Sequence, residues 1–520
     1  MRQIRAAILA ALFLSVQGAG PVAAQEVTLT SRDGAVSLSG ELLGFDGQFY
    51  RLRTIYGELT VDGTKVLCEG DSCPSIDEFV AELTVSGSTS ANQVLMPALL
   101  KAFALRRGFD VSETSLDERS VLFELTDPGE DRVVGRFTFR AGSTDEGFAD
   151  LLASEADIVL ARREIREDEI DRGRAAGLGV LDEANRSRML ALDALVPVVA
   201  PANAVSGVSL RDLAGILGGD VTSWEELGGP AAPIALHVLD DDSGLTQGLV
   251  DRLLGPSGGV LPPMAVRHPT NASLAGAVAS DPFALGIASY SGTGNTRMLP
   301  VSGPCGFVLT ATRRSVKTED YPLTAPIFLY LPARRLPELA REFLAFTRSE
   351  PAQIVIRRAG FVDQAPEEVP IDRQGDRFAN AISVAPGEAG LRELKRMVAT
   401  LRPMQRLSTS FRFEPGSARL DAQSRSNVYQ LAHAIETGLY DARRLVFVGF
   451  SDGVGSAAAN LDIARERAAA VMGAVIRAAE TADLARVTIS SEAFGEAMPM
   501  ACDATEWGRG VNRRVEVWVR

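Results

Sequence analysis

The sequence predicts a multidomain α/β protein, and three observations carry that prediction. At 520 residues the chain exceeds the roughly 250–300 residues at which single hydrophobic cores stop growing. Its middle alternates β-prone runs with helical stripes, and residues 405–520 repeat the alternation as a separate β-α-β-α-β-β unit.

The first element is a secretory signal. Arg2 and Arg5 precede an apolar run over 6–16, and Val22-Ala23-Ala24 is a small-residue cleavage site. This assigns 1–24 to the signal peptide and starts the mature chain at Gln25. No later segment offers the roughly 20 apolar residues of a membrane span, and no Cys follows the cleavage site for lipidation. The product is expected in the periplasm. A formal charge of -14 and a pI near 5.0 argue against a nucleic-acid partner.

Residues 25–75 alternate apolar and polar side chains and are punctuated by Asp33-Gly34, Asp46-Gly47 and Asp62-Gly63. That pattern predicts a small module of antiparallel hairpins. Cys68 and Cys73 flank a polar loop, where a local disulfide is expected in an exported protein. The pairing of Cys305 and Cys502 does not follow from sequence. No cofactor and no metal cluster are indicated.

Residues 76–363 predict an α/β domain with a largely parallel sheet. Strands over 79–85 and 135–140 end in the hydroxyl-rich turns Gly87-Ser88-Thr89-Ser90 and Gly142-Ser143-Thr144; Ser243-Gly244-Leu245-Thr246 is a third such turn. A turn of this kind aims backbone N–H groups, hydroxyls and a helix N-terminus at one point, which suits an oxyanion. Ser and Thr are also ordinary helix caps.

This segment resembles the periplasmic phosphate-binding proteins of ABC importers. The carrying motifs are Gly87-Ser88-Thr89-Ser90, Ala156-Asp157-Ile158-Val159-Leu160-Ala161-Arg162-Arg163, the apolar stretch 195–201, Trp224-Glu225-Glu226-Leu227-Gly228-Gly229 and Asp242-Ser243-Gly244. The resemblance implies a two-lobed solute-binding fold, with Thr89, Ser90, Ser143, Thr144, Ser243 and Gly244 around an oxyanion, phosphate first among them. Two departures stand out. Leu245 replaces the usual Thr, and Leu239 followed by Asp240-Asp241-Asp242 stands where many members have an Arg. Arg162 or Arg163 is then the candidate for the missing positive charge.

Catalysis finds little support. His237, His268 and His433 stand in no nucleophile–base pattern, and Ser243 lacks the flanking glycines of a nucleophile elbow. The domain is read as a binding protein, not an enzyme.

Residues 364–404 read as a linker, with Pro366 and Pro386 in polar surroundings, followed by an amphipathic helix near 391–401. In 405–520, Asp452 ends an apolar strand in Gly-Phe-Ser-Asp-Gly-Val-Gly, with Asn460 and Arg467 on the next helix and Asn512-Arg513-Arg514-Val515-Glu516 beyond. One carboxylate and one guanidinium so placed can clamp a small zwitterion.

These motifs, with Gly495-Glu496, Pro499 and Gly508-Arg509, resemble the OmpA C-terminal family of peptidoglycan-binding domains. The resemblance implies that Asp452 and Arg467 hold the diaminopimelate of the peptide stem, with Asn460 and Glu414 as further contacts. The sequence thus predicts a wall-anchored oxyanion receptor, with an ABC permease or an outer-membrane protein as candidate further partners. The other reading is a structural envelope protein whose solute-binding fold holds no small ligand.

Overall fold

The computed structural model describes residues 26–520, apart from 76–77, 184, 256–257, 304–306, 386, 415–416 and the side chain of Trp507. The signal segment 1–24 and Cys305 lie outside the described residues. The described residues form two compact units, divided between Val80 and Ala81.

In the first unit, strands Glu26–Ser31, Ser37–Phe45, Phe49–Thr54 and Gly57–Asp62 form an antiparallel meander, and Val66–Glu69 returns to pair with the first strand. Alternation turns Val27, Leu29, Tyr50, Leu52 and Val66 into one core. The Asp-Gly turns lie between strands as expected. Asp46 Oδ1 accepts from the Gln48 and Phe49 amides at 2.9 and 2.7 Å, and Asp62 caps the short helical turn Gly63–Lys65. The hairpin at Ile55-Tyr56 carries no such marker, and both residues are exposed. Cys68 and Cys73 are disulfide-bonded, with Cα atoms 5.8 Å apart.

In the second unit, one long sheet serves two lobes. Around Ala81–Ser88 lie Ile158–Ala161 and Arg132–Gly142, both parallel to it; around Ala235–Leu239 lie Val266–His268 and Ala284–Ser289, again parallel. Two antiparallel strands, Ser187–Val199 and Thr324–Tyr330, join the halves. Ser187–Val199 pairs with Thr324–Tyr330 through its first part and with Ala284–Ser289 through its last. Separate cores, one around Leu83, Phe103 and Phe343 and one around Val198, Leu213 and Leu285, define the lobes.

The sheet is therefore mixed, not largely parallel. The expectation failed at the connecting strands, and also at the edge, where Asp110–Ser115 and Ser120–Asp127 extend the sheet as an antiparallel hairpin. Asp110–Ser115 is almost wholly exposed and polar, so it lacks the apolar alternation that would announce a strand.

The C-terminal sheet runs Glu368–Val369, Gln405–Arg412, Arg514–Val519, Arg444–Phe450, Thr488–Ala493. Helices Ala422–Glu436 and Ala457–Ala478 cover one face, burying Leu445 and Phe447 with Leu431 and Val471. A short helix, Glu506–Asn512, which the β-β reading omitted, precedes the last strand.

The stretch 364–404 is not a free tether. Glu368–Val369 pairs with Gln405–Arg412, and helices Gly375–Val384 and Gly387–Leu401 cover the other sheet face. There Ala381, Leu394, Met397 and Leu401 pack with Val446, Val448, Phe450 and Trp518. The sheet has two apolar faces, so this polar-looking segment is the third layer it needs.

The C-terminal domain is docked on the two-lobed domain. Arg406 donates to both oxygens of Asp320 (2.7 and 3.0 Å), Arg412 Nε lies 3.5 Å from Glu319 Oε2, and Ser426 Oγ accepts from the amide of Met189 on a connecting strand at 3.3 Å. Cys502 is disulfide-bonded.

Candidate functional site

A cleft of about 1280 Å³ is lined by residues of both lobes. Strand Ala81–Ser88 delivers the first turn; Gly87, at φ +114°, lets the chain pass close against Leu160, where a Cβ would collide with its carbonyl oxygen. Thr89 and Ser90 follow and line the cleft. Thr89 Oγ1 donates to the Gly142 carbonyl at 3.2 Å, tying the first turn to the second. Ser90 precedes a π-type turn, Ala91–Leu95, without capping it.

The three turns differ in how their hydroxyls are used. Ser143 caps helix Thr144–Leu152 in a full capping box with Glu146. Thr144 is wholly buried, its Oγ1 accepting from the Arg162 amide at 3.1 Å, and it does not line the cleft. Ser243 opens helix Gly244–Leu253 with no side-chain cap bond, leaving its hydroxyl to the cleft. Gly244 sits where a Cβ would come within 2.9 Å of Arg162 Cβ, so only glycine brings this helix N-terminus against the opposite lobe.

Arg162 is the central cation. Its side chain is 2% exposed, yet it lines the cleft. Nη2 donates to Asp193 Oδ2 at 2.8 Å, while Nε and Nη1 are buried and have no partner. Asp193, on a connecting strand, also accepts from the Ala194 amide (2.8 Å), from the amide and hydroxyl of Ser291 (3.2 and 3.0 Å) and from the Ser289 hydroxyl. The guanidinium is thus held rigidly with two donors unspent. Sequence reasoning missed Asp193, which lies in a long apolar run with no motif around it. Arg163, the other candidate cation, is instead paired with Glu169 (2.7 Å) and Asp145.

Leu239 and Leu245 line the cleft where a charge and a hydroxyl were expected from the resemblance. Of the three following carboxylates, Asp241 turns to Arg267 at 3.2 Å. Asp240 and Asp242 line the cleft and form no ion pair among the described residues. Nearby in the fold, His237 Nδ1 and His268 Nε2 are 2.9 Å apart, and burial holds both below the usual histidine range.

The C-terminal domain brings Asp452, Asn460 and Arg467 to one end of its sheet and helix. Asp452 does not pair with Arg467; its Oδ2 accepts from Arg513 Nη1 at 3.0 Å, and Arg513 is also held by Glu506 at 2.6 Å. Burial alone would lower Arg513, but these two acids keep it above its ordinary value.

Arg467 lies over the ring of Phe413, 5.2 Å from its centroid, with no carboxylate partner among the described residues. Burial and the neighbouring Arg513 push its pKa down, an unsatisfied position for a cation. Asn460 is buried, donating to Glu496 Oε2 at 3.3 Å. Glu414 is occupied by Arg419 (2.6 Å) and Arg425 (3.3 Å). Arg514, adjacent in sequence to Arg513, is wholly buried against Glu516 at 2.8 Å.

A family model described as "PBP superfamily domain" matches residues 75–351, more than half of the chain, and one described as "OmpA family" matches residues 412–513. The chain is similar to the phosphate-binding protein PstS of Borreliella burgdorferi, 26% identical over 119 residues, or 23% of this chain and 39% of that protein. It is also similar to Protein SphX of Synechococcus elongatus, 25% identical over 237 residues, or 43% and 68% of the two chains. The match thus spans well under half the length of the first relative and about two thirds of the second. Among solved structures, an ABC-type phosphate transport receptor from Vibrio cholerae shares 22% identity at a TM-score of 0.40, covering 54% of this chain and 99% of its own. With the first family model spanning both lobes, the chain belongs to the PBP superfamily, and it carries an OmpA-family domain after its two-lobed unit.

Proposed function

We propose that this protein is a periplasmic receptor that captures an oxyanion, phosphate or a relative of it, while its OmpA-family domain holds it non-covalently to peptidoglycan. The observation that carries the receptor reading is Arg162: a buried guanidinium at the cleft wall with Nε and Nη1 unpartnered. A buried unsatisfied donor costs about 1–3 kcal/mol, more when charged, and an oxyanion supplies the missing acceptors. The hydroxyls of Ser90 and Ser243, unused as caps, and the N-terminal amides of helix Gly244–Leu253 complete the donor set. The name of one relative, a phosphate-binding protein, supports the same ligand class. Binding without chemistry suffices for this set, and no enzymatic step is proposed.

For the anchor, Arg467 offers an unpaired guanidinium and Asp452 a strand-end carboxylate, the two charges that a diaminopimelate centre needs. Because 364–404 packs on the C-terminal sheet and that domain docks on the lobes, the receptor is held close to the wall. Local capture or sensing fits this arrangement as well as delivery to a permease.

Calorimetric titration of the mature chain with phosphate and sulfate tests the receptor reading. Saturable heat is expected for the native protein and none for Arg162→Ala retaining its native circular dichroism. Absence of heat with these anions and with their organic monoesters favours the alternative, a structural envelope protein, for which Leu239 and Leu245 are the supporting observations.

A further inference from the structure

The cleft's charges point to a more specific ligand. Its charged lining among the described residues is Arg119, Glu146, Arg162, Asp240 and Asp242. Arg119 and Glu146 neutralise each other at 3.0 Å, and Arg162 is balanced by Asp193 at 2.8 Å. What remains uncompensated is the pair Asp240 and Asp242. A bare dianion entering this cleft meets hydrogen-bond donors from Arg162 but a net negative field, and each like charge near it opposes its entry.

We infer that the cleft is built for an oxyanion that carries its own ammonium, a zwitterionic aminoalkyl phosphonate or phosphate monoester, rather than for inorganic phosphate. This rests on the receptor reading above. The oxyanion end takes Arg162 Nε and Nη1 with the Ser243 hydroxyl and the amides that open helix Gly244–Leu253. The ammonium takes Asp240 or Asp242, converting the repulsive carboxylates into charge-assisted acceptors. Two further observations fit. Asp241, between them in sequence, is withdrawn to Arg267, so the two carboxylates left facing the cleft have no internal cation. The cleft, at about 1280 Å³, exceeds the roughly 300–1,000 Å³ of small-molecule sites, so space does not limit the ligand to a tetrahedral ion. Specificity would then arise from the mismatch that a ligand without the amine leaves behind.

Titration of the mature chain with 2-aminoethylphosphonate, 2-aminoethyl phosphate, ethylphosphonate and inorganic phosphate tests this. Each amine-bearing ligand is expected to bind at least about tenfold more tightly than ethylphosphonate and phosphate, and the two amines against each other distinguish a phosphonate from an ester. In Asp240→Asn/Asp242→Asn, a pair of unpartnered side chains whose replacement leaves the core untouched, the gap should close to within about threefold, with ethylphosphonate bound as well as or better than before. Ethylphosphonate or phosphate binding as tightly as the amines to the native protein overturns the inference and leaves the receptor reading standing. A gap unchanged in the double variant also overturns it. Binding of none of the four overturns the receptor reading itself.

Discussion

Arg406 donates through Nη1 and Nη2 to Asp320 Oδ2 and Oδ1 at 2.7 and 3.0 Å, a bidentate pair buried between the C-terminal domain and the two-lobed domain. The guanidinium overcomes the cost of burial and holds Asp320 down at about 2. Arg406 Nε lies 3.3 Å from Glu516, which is also held by Arg377 and Arg514. Removing one member leaves buried charge uncompensated, which costs about 3–5 kcal/mol. Arg406→Met is therefore expected to destabilise the protein by that order, and to split a single thermal transition into two as the domains lose their joint. Differential scanning calorimetry reads both effects; an unsplit transition with an unchanged midpoint contradicts the assigned role.

Glu319 makes the same interface pH-sensitive. It sits at φ +57°, buried, with Asn427 Nδ2 at 3.4 Å, and burial raises it from 4.5 to about 8 against the pull of Arg412. The folded state then binds a proton that the unfolded state releases above about pH 4.5. Stability should fall as pH rises from about 4.5 to 8, by a contribution of up to about 5 kcal/mol. Glu164, raised to about 7 by burial and by Asp421, acts in the same direction over a narrower window. The lowered histidines act oppositely, losing their destabilising effect as pH rises through their ordinary 6.5. Urea midpoints of native protein and Glu319→Gln at pH 5 and pH 8 isolate the Glu319 part: the native protein should lose more stability over that interval than the variant.

The capping chemistry separates two serines that look alike in sequence. Ser143→Ala should cost about 1 kcal/mol of stability, because it removes an N-cap bond to Glu146, and should weaken anion affinity by less than about threefold. Ser243→Ala should leave the thermal midpoint within about 1 °C of native, a change well below 1 kcal/mol, and weaken anion affinity by about tenfold, the scale of one lost hydrogen bond to a charged group. Paired melting curves and titrations decide between them.

At the wall-binding end, Arg467→Ala should reduce co-sedimentation with purified sacculi by at least about tenfold, the scale of one charge-assisted bond. Little stability should be lost, since the cation lies over the Phe413 ring and forms no ion pair among the described residues. Arg513→Ala removes the donor that holds Asp452 and should weaken co-sedimentation less, while lowering the melting point. Equal retention of both variants on sacculi argues against Asp452 and Arg467 as the clamp.

Local order made much of the architecture legible. Strand Arg444–Phe450 lies where the apolar strand that ends at Asp452 is expected, because the short apolar run 445–450 suits a strand buried on both faces. Helix Ala457–Ala478 carries Asn460 and Arg467 as expected, because its apolar stripe recurs at helical spacing. The disulfide of Cys68 and Cys73 was readable because a five-residue separation leaves the bridge a local choice.

What the sequence by itself determined is the set of modules, the turn and cap residues, and the positions from which side chains reach a site; these depend on neighbours within a turn or two. Only the tertiary structure decided that 364–404 is a layer rather than a linker, that Asp452 rests on Arg513 rather than Arg467, and that Arg162 is fixed by Asp193 from a strand 31 residues away. It also decided which of Asp240, Asp241 and Asp242 face the cleft. The physical reason is common to all four. Ion pairing and burial depend on distance in space, and a carboxylate's role is set by whichever cation folding brings within a few ångströms of it.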